Sequence, residues 1–260
     1  MTADLRYLGS LILAVGWQTA LAQSTLNFCY QDQPLEPYYR TAGATVPAVD
    51  PGATIEHLQW LVGQIPGLQL RFVRYPWKRC LLELQRGRID AVVANYYKER
   101  EALGQFPMTA QGIDEQRAFT QQDVCLISKA AVAQRWNGRN FAAGAPIVFG
   151  YMPRVDLRQH AIAAQLSHVA IDNQRQAIHL LQKDQIQLST ILCAISGQPV
   201  PQVEYPTLHV LTPAVAHLTG YLVFSHQFYG KNQALANKLW SLNQYPLAIY
   251  FRYLQQNLAE

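Results

Sequence analysis

Arg100 carries a side chain suited to holding an anion. Its planar guanidinium carries five donors in a fixed fork, which matches a carboxylate through two parallel hydrogen bonds. It stands a few residues beyond Ile89-Asp90-Ala91-Val92-Val93-Ala94, a run of buried-strand length, and at the start of an expected helix whose free amides also favour negative charge. The competing role is a surface ion pair with Glu99 or Glu101, which is common and weak. Asn95 and Tyr96, at the end of the same strand, would offer hydrogen bonds and a ring face to the same ligand, or would cap the strand and fill the lobe. Trp77 follows Pro76 at the mouth of the expected crevice. It is either an aromatic wall on which ligands stack or a core residue anchoring its helix. Arg79 lies two positions on, cannot share a helix face with Trp77, and is read as structural.

The elements that must position these groups follow from periodicity. Thr25–Tyr30 reads as a strand, and Ile55, Leu58, Leu61 and Val62 form a helical stripe closed by Pro66-Gly67. Leu68–Arg74 reads as a second strand. Pro76 then opens a short helix with Leu81, Leu82 and Leu84 as its apolar set, ended by Arg86-Gly87-Arg88. The strand-helix-strand-helix-strand order implies parallel pairing, and such open sheets place ligands at the carboxyl ends of their strands. Downstream, strands are expected at Val124–Ser128, Pro146–Phe149, Val169–Asp172 and Gly220–Ser225, with an apolar run at Leu188–Ile195. Helices are expected at Asp156–Leu166, Arg175–Gln182, Asn232–Leu242 and Leu247–Leu258.

Composition narrows the function classes. Half of the 260 residues are hydrophobic and 15% are charged, enough to bury one large core or two modest ones. The net charge of +4 comes from scattered Lys and Arg with no basic stripe, which argues against a nucleic-acid partner. G-x-S-x-G, H-E-x-x-H, C-x-x-C and phosphate-loop signatures are missing, so neither an enzyme nor a metal or cofactor site is expected. The histidines, among them His160, His168 and His179, are scattered and read as surface or packing residues.

The N-terminus reads as a secretory signal over residues 1–22: Arg6, an apolar stretch from Leu8 to Trp17, and Ala20-Leu21-Ala22 before Gln23, with a buried N-terminal helix as the alternative. Export would place the protein in the periplasm and its four cysteines in an oxidising compartment. The expected strand at Cys29 and helix at Cys80 favour a Cys29–Cys80 bridge, with free buried thiols the alternative.

Gly87-Arg88-Ile89-Asp90-Ala91 followed by Tyr97-Lys98-Glu99-Arg100, then Trp136-Asn137-Gly138, Gly150 and Gly220-Tyr221-Leu222-Val223-Phe224-Ser225, together resemble the periplasmic solute-binding proteins of the polar amino-acid type, the bacterial extracellular solute-binding family 3. The resemblance implies an α/β two-lobe periplasmic binding protein-like fold of type II with a hinge. Lobe 1 would be residues 23–122 plus 215–260 and lobe 2 residues 123–214. It implies a monomer that captures a small polar, amino-acid-like ligand for the permease of an ATP-driven importer, with Arg100 gripping the ligand carboxylate. Alternatives on the same fold are a ligand-sensing partner of a membrane receptor and a small-acid dehydratase. Tyr38, in the loop after the first strand, matches the aromatic that covers the ligand, unless it packs on its own prolines. The pattern departs in the second lobe: Gly150-Tyr151-Met152-Pro153-Arg154 stands where a Gly-Thr loop is usual, so Tyr151 and Arg154 become the closing residues. Ile191-Leu192-Cys193-Ala194-Ile195 offers no carboxylate for a ligand ammonium group. Either Glu36 or Glu56 supplies that charge, or the ligand is another small anion, because an unpaired buried ammonium is costly.

Overall fold

The computed structural model describes residues 24–152, 162–201, 205–244 and 246–259. The signal segment 1–22, Arg154 and most of the expected helix Asp156–Leu166 lie outside the described residues.

In chain order the elements are β1 (Ser24–Gln31), α1 (Ala53–Gly63), β2 (Leu68–Tyr75), α2 (Trp77–Gln85), β3 (Ala91–Asn95), β4 (Met108–Thr109), β5 (Gly112–Ile113), β6 (Thr120–Lys129), α3 (Ala130–Ala133), β7 (Ile147–Tyr151), β8 (Leu166–Ala170), α4 (Gln174–Gln182), β9 (Leu188–Ile195), β10 (Gln198–Pro199), β11 (Leu208–Phe224), α5 (His226–Leu242) and α6 (Leu247–Ala259). β1 pairs in parallel with β2 and with β3, as the expected βαβ succession requires. The main sheet runs β2-β1-β3-β11-β6-β9-β7-β8, with β10 on β9.

Alternation along the central strands explains the core. Leu26, Phe28 and Tyr30 of β1 pack on one face with the α1 stripe and with Phe228, Leu239, Trp240, Tyr250 and Tyr253 of α5 and α6. Cys29 faces the other way, with Cys80 and Leu84 of α2. β11 splits likewise, Leu222 and Phe224 to the first face and Tyr221 and Val223 to the second. Strands covered on both faces must be apolar throughout, which is why they read as unbroken hydrophobic runs. The second half of the sheet repeats the arrangement: Leu126, Ile147 and Phe149 face Val132 of α3, while Ile127 faces Ile178 and Leu181 of α4.

β11 joins the two halves. Its end, Gly220–Phe224, pairs with β3, and its first part, Leu208–Gly220, pairs with β6. β6 continues onto β9. Ladder hydrogen bonds carry β11 well beyond the expected Gly220–Ser225, because pairing with β6 holds residues whose own pattern is mixed. Both ladders break register at neighbouring places, between Leu211 and Ala216 of β11 and at Asp123/Val124 of β6. Disulfides join Cys29 to Cys80 and Cys125 to Cys193. The second lies at the register break. Ile195 and Val200 pack in the cluster that holds Leu26 and Phe28, so the 123–214 segment adds to the first half's core.

Three local expectations are corrected. After β3 the chain forms only a five-residue 3-10 turn, Lys98–Ala102, since Gln105 pairs back on Phe224 in both directions before a helix can extend. Leu82 of α2 is exposed, because the buried face follows the Cys80–Leu84 spacing of four. Leu166 opens β8 against Ile147 after a 3-10 turn at Ala163–Gln165, so the helical reading fails there.

Candidate functional site

A cavity of about 360 Å3 opens at the carboxyl ends of β1 and β3, beside β6 and β11. Four aromatic residues line it: Tyr38, Tyr39, Trp77 and Tyr97. The end of β3 contributes Val93, Ala94 and Asn95, followed by Arg100. Gln31 comes from β1, Thr54 from α1, Thr120 and Gln122 from β6, and Leu218 from β11.

Each lining group is fixed by a separate local cause. Asn95 ends β3 opposite Gly220, and the sharp path after it brings Arg100 back so that Nη1 donates to the Asn95 carbonyl oxygen at 2.8 Å. The guanidinium lies 4.7 Å from the centroid of the Tyr97 ring. Burial is the main influence on the Arg100 pKa and lowers it from its ordinary value, while Tyr97 acts in the opposite direction. The group remains a cation, and the described ion pairs include none to it.

Tyr38 and Tyr39 are nearly buried on the loop between β1 and α1. Gly52 at φ +113° brings this loop against the helix start, where Ala53 N donates to Pro37 O and Thr54 N to Tyr38 O. Arg74 of β2 holds the outer part of the loop. Its Nη2 donates to Thr41 O at 2.7 Å and its Nη1 to Thr45 O at 2.9 Å. The same guanidinium sits 5.0 Å from the Tyr30 ring centroid, and Tyr30 stacks on Tyr39 at 4.9 Å. A buried cation answered by backbone carbonyls thereby props one aromatic wall. Thr54 Oγ1 is buried and meets no hydrogen-bond partner among the described residues.

The structure thus brings together Arg100, Asn95, Trp77 and Tyr38. Tyr96 points elsewhere: its hydroxyl donates to Glu101 Oε1 at 2.6 Å and its ring packs on Phe106. That bond, with the ammonium of Lys98, holds the Glu101 carboxyl below its usual range. Glu36 does not line the cavity and pairs with Arg40 at 3.5 Å. Glu56 faces α6, where Tyr253 and Arg252 hydrogen-bond to its carboxylate. Tyr151 does not line the cavity either. It ends β7 and packs on the core of the second half. Arg79 stacks over Tyr75 at 3.9 Å.

Tyr97, Tyr39, Gln31, Thr54, Thr120, Gln122 and Leu218 escaped the sequence reading. Gln31 and Tyr39 carried a usable signal, one at the carboxyl end of a parallel strand and the other adjoining Tyr38. The β6 and β11 residues carried none, since they reach the cavity only through the antiparallel pairing of the two strands.

No family model and no curated protein matches the chain. Solved structures do. The B. pertussis BvgS periplasmic domain superposes with a TM-score of 0.62 at 14% identity over 91% of this chain; the chain spans 44% of that one. The L-cystine solute receptor of Neisseria gonorrhoeae in its unliganded open conformation gives 0.52 at 14% identity, covering 85% of this chain and 86% of that one. The ancestral amino acid-binding protein AncCDT-1, a precursor of cyclohexadienyl dehydratase, gives 0.55 at 13% identity, covering 90% and 94%. This is the two-lobe periplasmic binding protein fold. β6 and β11 run beside the cavity and contribute Thr120, Gln122 and Leu218 to its lining. No helix among the described residues is long and apolar enough to cross a membrane.

Proposed function

We propose that this protein is a periplasmic solute-binding protein that captures a small polar, carboxylate-bearing ligand of amino-acid size. Arg100 grips the carboxylate, Asn95 orients it, and Tyr38 and Trp77 cover its body. Residues 1–22 direct export. Residues 23–122 with 215–260 form lobe 1 and residues 123–214 form lobe 2, which closes over the ligand about β6 and β11, bringing Tyr151 and Arg154 toward the cavity. The monomeric, loaded form delivers its ligand to the permease of an ATP-driven importer, and the chemistry is capture without turnover. The observation that carries this reading is the Arg100 guanidinium in an aromatic-walled cavity with no described carboxylate against it. A desolvated cation of this kind is stabilised by an anionic guest.

The test is a thermal-shift screen against small carboxylates, with small-angle scattering on any hit. Capture raises the melting temperature and closure reduces the radius of gyration. A hit that leaves the radius unchanged overturns closure, and the absence of any carboxylate hit overturns capture. A sensing role is the second reading, favoured by the superposition on the BvgS periplasmic domain. In that role the loaded protein binds a receptor ectodomain instead of a permease.

A further inference from the structure

We infer that Asn95, Thr120 and the bare backbone of Gly220 form a hydrogen-bonding subsite that takes a hydroxyl or amino substituent carried beside the ligand's carboxylate. The missing side chain at Gly220 keeps that subsite open. This rests on the capture reading above and deepens it.

One face of three neighbouring strands borders the cavity. β11 pairs with β3 on one side and with β6 on the other, and Gly220 stands in register with both Asn95 and Thr120. Paired residues of antiparallel strands carry their side chains on the same face, and so do residues two apart along one strand. Val93 and Asn95 of β3, Leu218 of β11, and Thr120 and Gln122 of β6 share a face in this way, and all of them line the cavity. Gly220 stands among them with no side chain. No positive φ is required of it, so the glycine supplies space at this position and not an unusual backbone conformation.

A Cβ placed on Gly220 would stand 2.5 Å from Thr120 Oγ1, 3.5 Å from Val93 Cγ1 and 3.7 Å from Asn95 Oδ1. Two polar oxygens therefore converge over a residue that has no side chain to meet them, and glycine inside a strand often marks such a close approach by a ligand. A ligand hydroxyl at this place donates to Asn95 Oδ1 and accepts from Thr120 Oγ1, whereas an amino group donates to both. Asn95 Nδ2 is left for the carboxylate. The carboxylate grip adjoins the subsite, because Arg100 Nη1 donates to the carbonyl oxygen of the same Asn95. Thr120 is 3% exposed, and the described hydrogen bonds use neither its hydroxyl nor the Asn95 amide. A nearly buried hydroxyl gains more from a ligand partner than an exposed one, for which water is the alternative.

The experiment is calorimetric titration of the full chain and of Thr120→Val, Thr120→Ser and Gly220→Ala. The probes are the common L-amino acids, L-lactate and L-malate, with their unsubstituted analogues such as propanoate and butanedioate. Val keeps the shape and branching of Thr120 without its hydroxyl, and Ser keeps the hydroxyl. The expected result is that a hydroxyl- or amino-bearing probe binds the wild type more tightly than its unsubstituted analogue. Thr120→Val should weaken that probe by about three- to tenfold, the range for one hydrogen bond, and leave the analogue unaffected. Thr120→Ser should bind as the wild type does, and Gly220→Ala should lose about tenfold or more by filling the subsite. If Gly220→Ala does not fold, the two Thr120 variants decide. Unchanged affinity in Thr120→Val, equal losses in the Val and Ser variants, or binding of the unsubstituted acids alone overturns the subsite while carboxylate capture stands. If no probe binds the wild type, the capture reading falls and the subsite with it.

Discussion

Gly52 lies so close beneath Tyr38 that a methyl group on its Cα would stand 2.3 Å from the Tyr38 carbonyl oxygen. With φ at +113°, the backbone there also adopts a conformation that L side chains rarely enter. Gly52→Ala should destabilise the fold by about 2 kcal/mol or more and weaken ligand binding, because Tyr38 and Thr54 flank the contact and both line the cavity. Gly63→Ala, at the other end of α1 with open space around it, is the control and should be neutral or stabilising by up to about 1 kcal/mol. Denaturant titration of the two variants checks the difference.

Arg100 makes one described hydrogen bond to the rest of the chain, to the Asn95 carbonyl. Arg100→Ala should therefore leave the melting temperature of the ligand-free protein nearly unchanged. Binding of a carboxylate should fall by about 10- to 150-fold, the range for a hydrogen bond to a charged group. Arg100→Lys should restore only part of it, since an ammonium cannot form the bidentate pair. Thermal melts with and without ligand separate the two effects. Loss of folding in Arg100→Ala would identify the residue as structural.

His57 is fully buried on α1, stacked on Phe119 at 4.0 Å and within 3.1 Å of the Tyr250 hydroxyl. Burial is the main influence on its pKa and lowers it to about 3; hydrogen bonds with Gln244 and Asn243 act the other way. The folded state holds the ring neutral, whereas the unfolded chain protonates it near its ordinary value of 6.5. Its contribution to stability is complete above pH 6.5 and is lost as the pH falls toward 3. Between pH 7 and pH 5 this one group should cost about 2 kcal/mol. Chemical denaturation of the wild type and His57→Gln at both pH values checks it, with the variant showing the shallower dependence.

Cys29–Cys80 and Cys125–Cys193 close loops of 51 and 68 residues. Loop-closure entropy assigns each a contribution of about 4 kcal/mol. Thiol counting on the denatured, unreduced protein should find no free thiol. Removing the second bridge by Cys125→Ser with Cys193→Ser should loosen the region where the β6 and β11 ladders change register. Hydrogen exchange would then rise in β6 and β9 before it rises in β1–β3.

Local pattern determined much of this protein. The α1 stripe, the parallel β1–β2–β3 unit and the two-faced burial of the central strands follow from periodicities of 3.6 and 2, which depend only on neighbouring residues. Asn95 and Trp77 lie at the ends of elements that the pattern defines, whereas Arg100 and Tyr38 were singled out by the resemblance to the solute-binding family; all four line the cavity. Tertiary structure decided the rest. The length of β11 depends on its pairing with β6, a strand some ninety residues earlier, and Thr120, Gln122 and Leu218 reach the cavity only through that pairing. Glu36, Glu56 and Tyr96 had the right chemistry for a binding site, but Arg40, Arg252 with Tyr253, and Glu101 respectively claimed them. A side chain's type is written in the sequence, but which partner meets it in space depends on contacts between segments far apart along the chain.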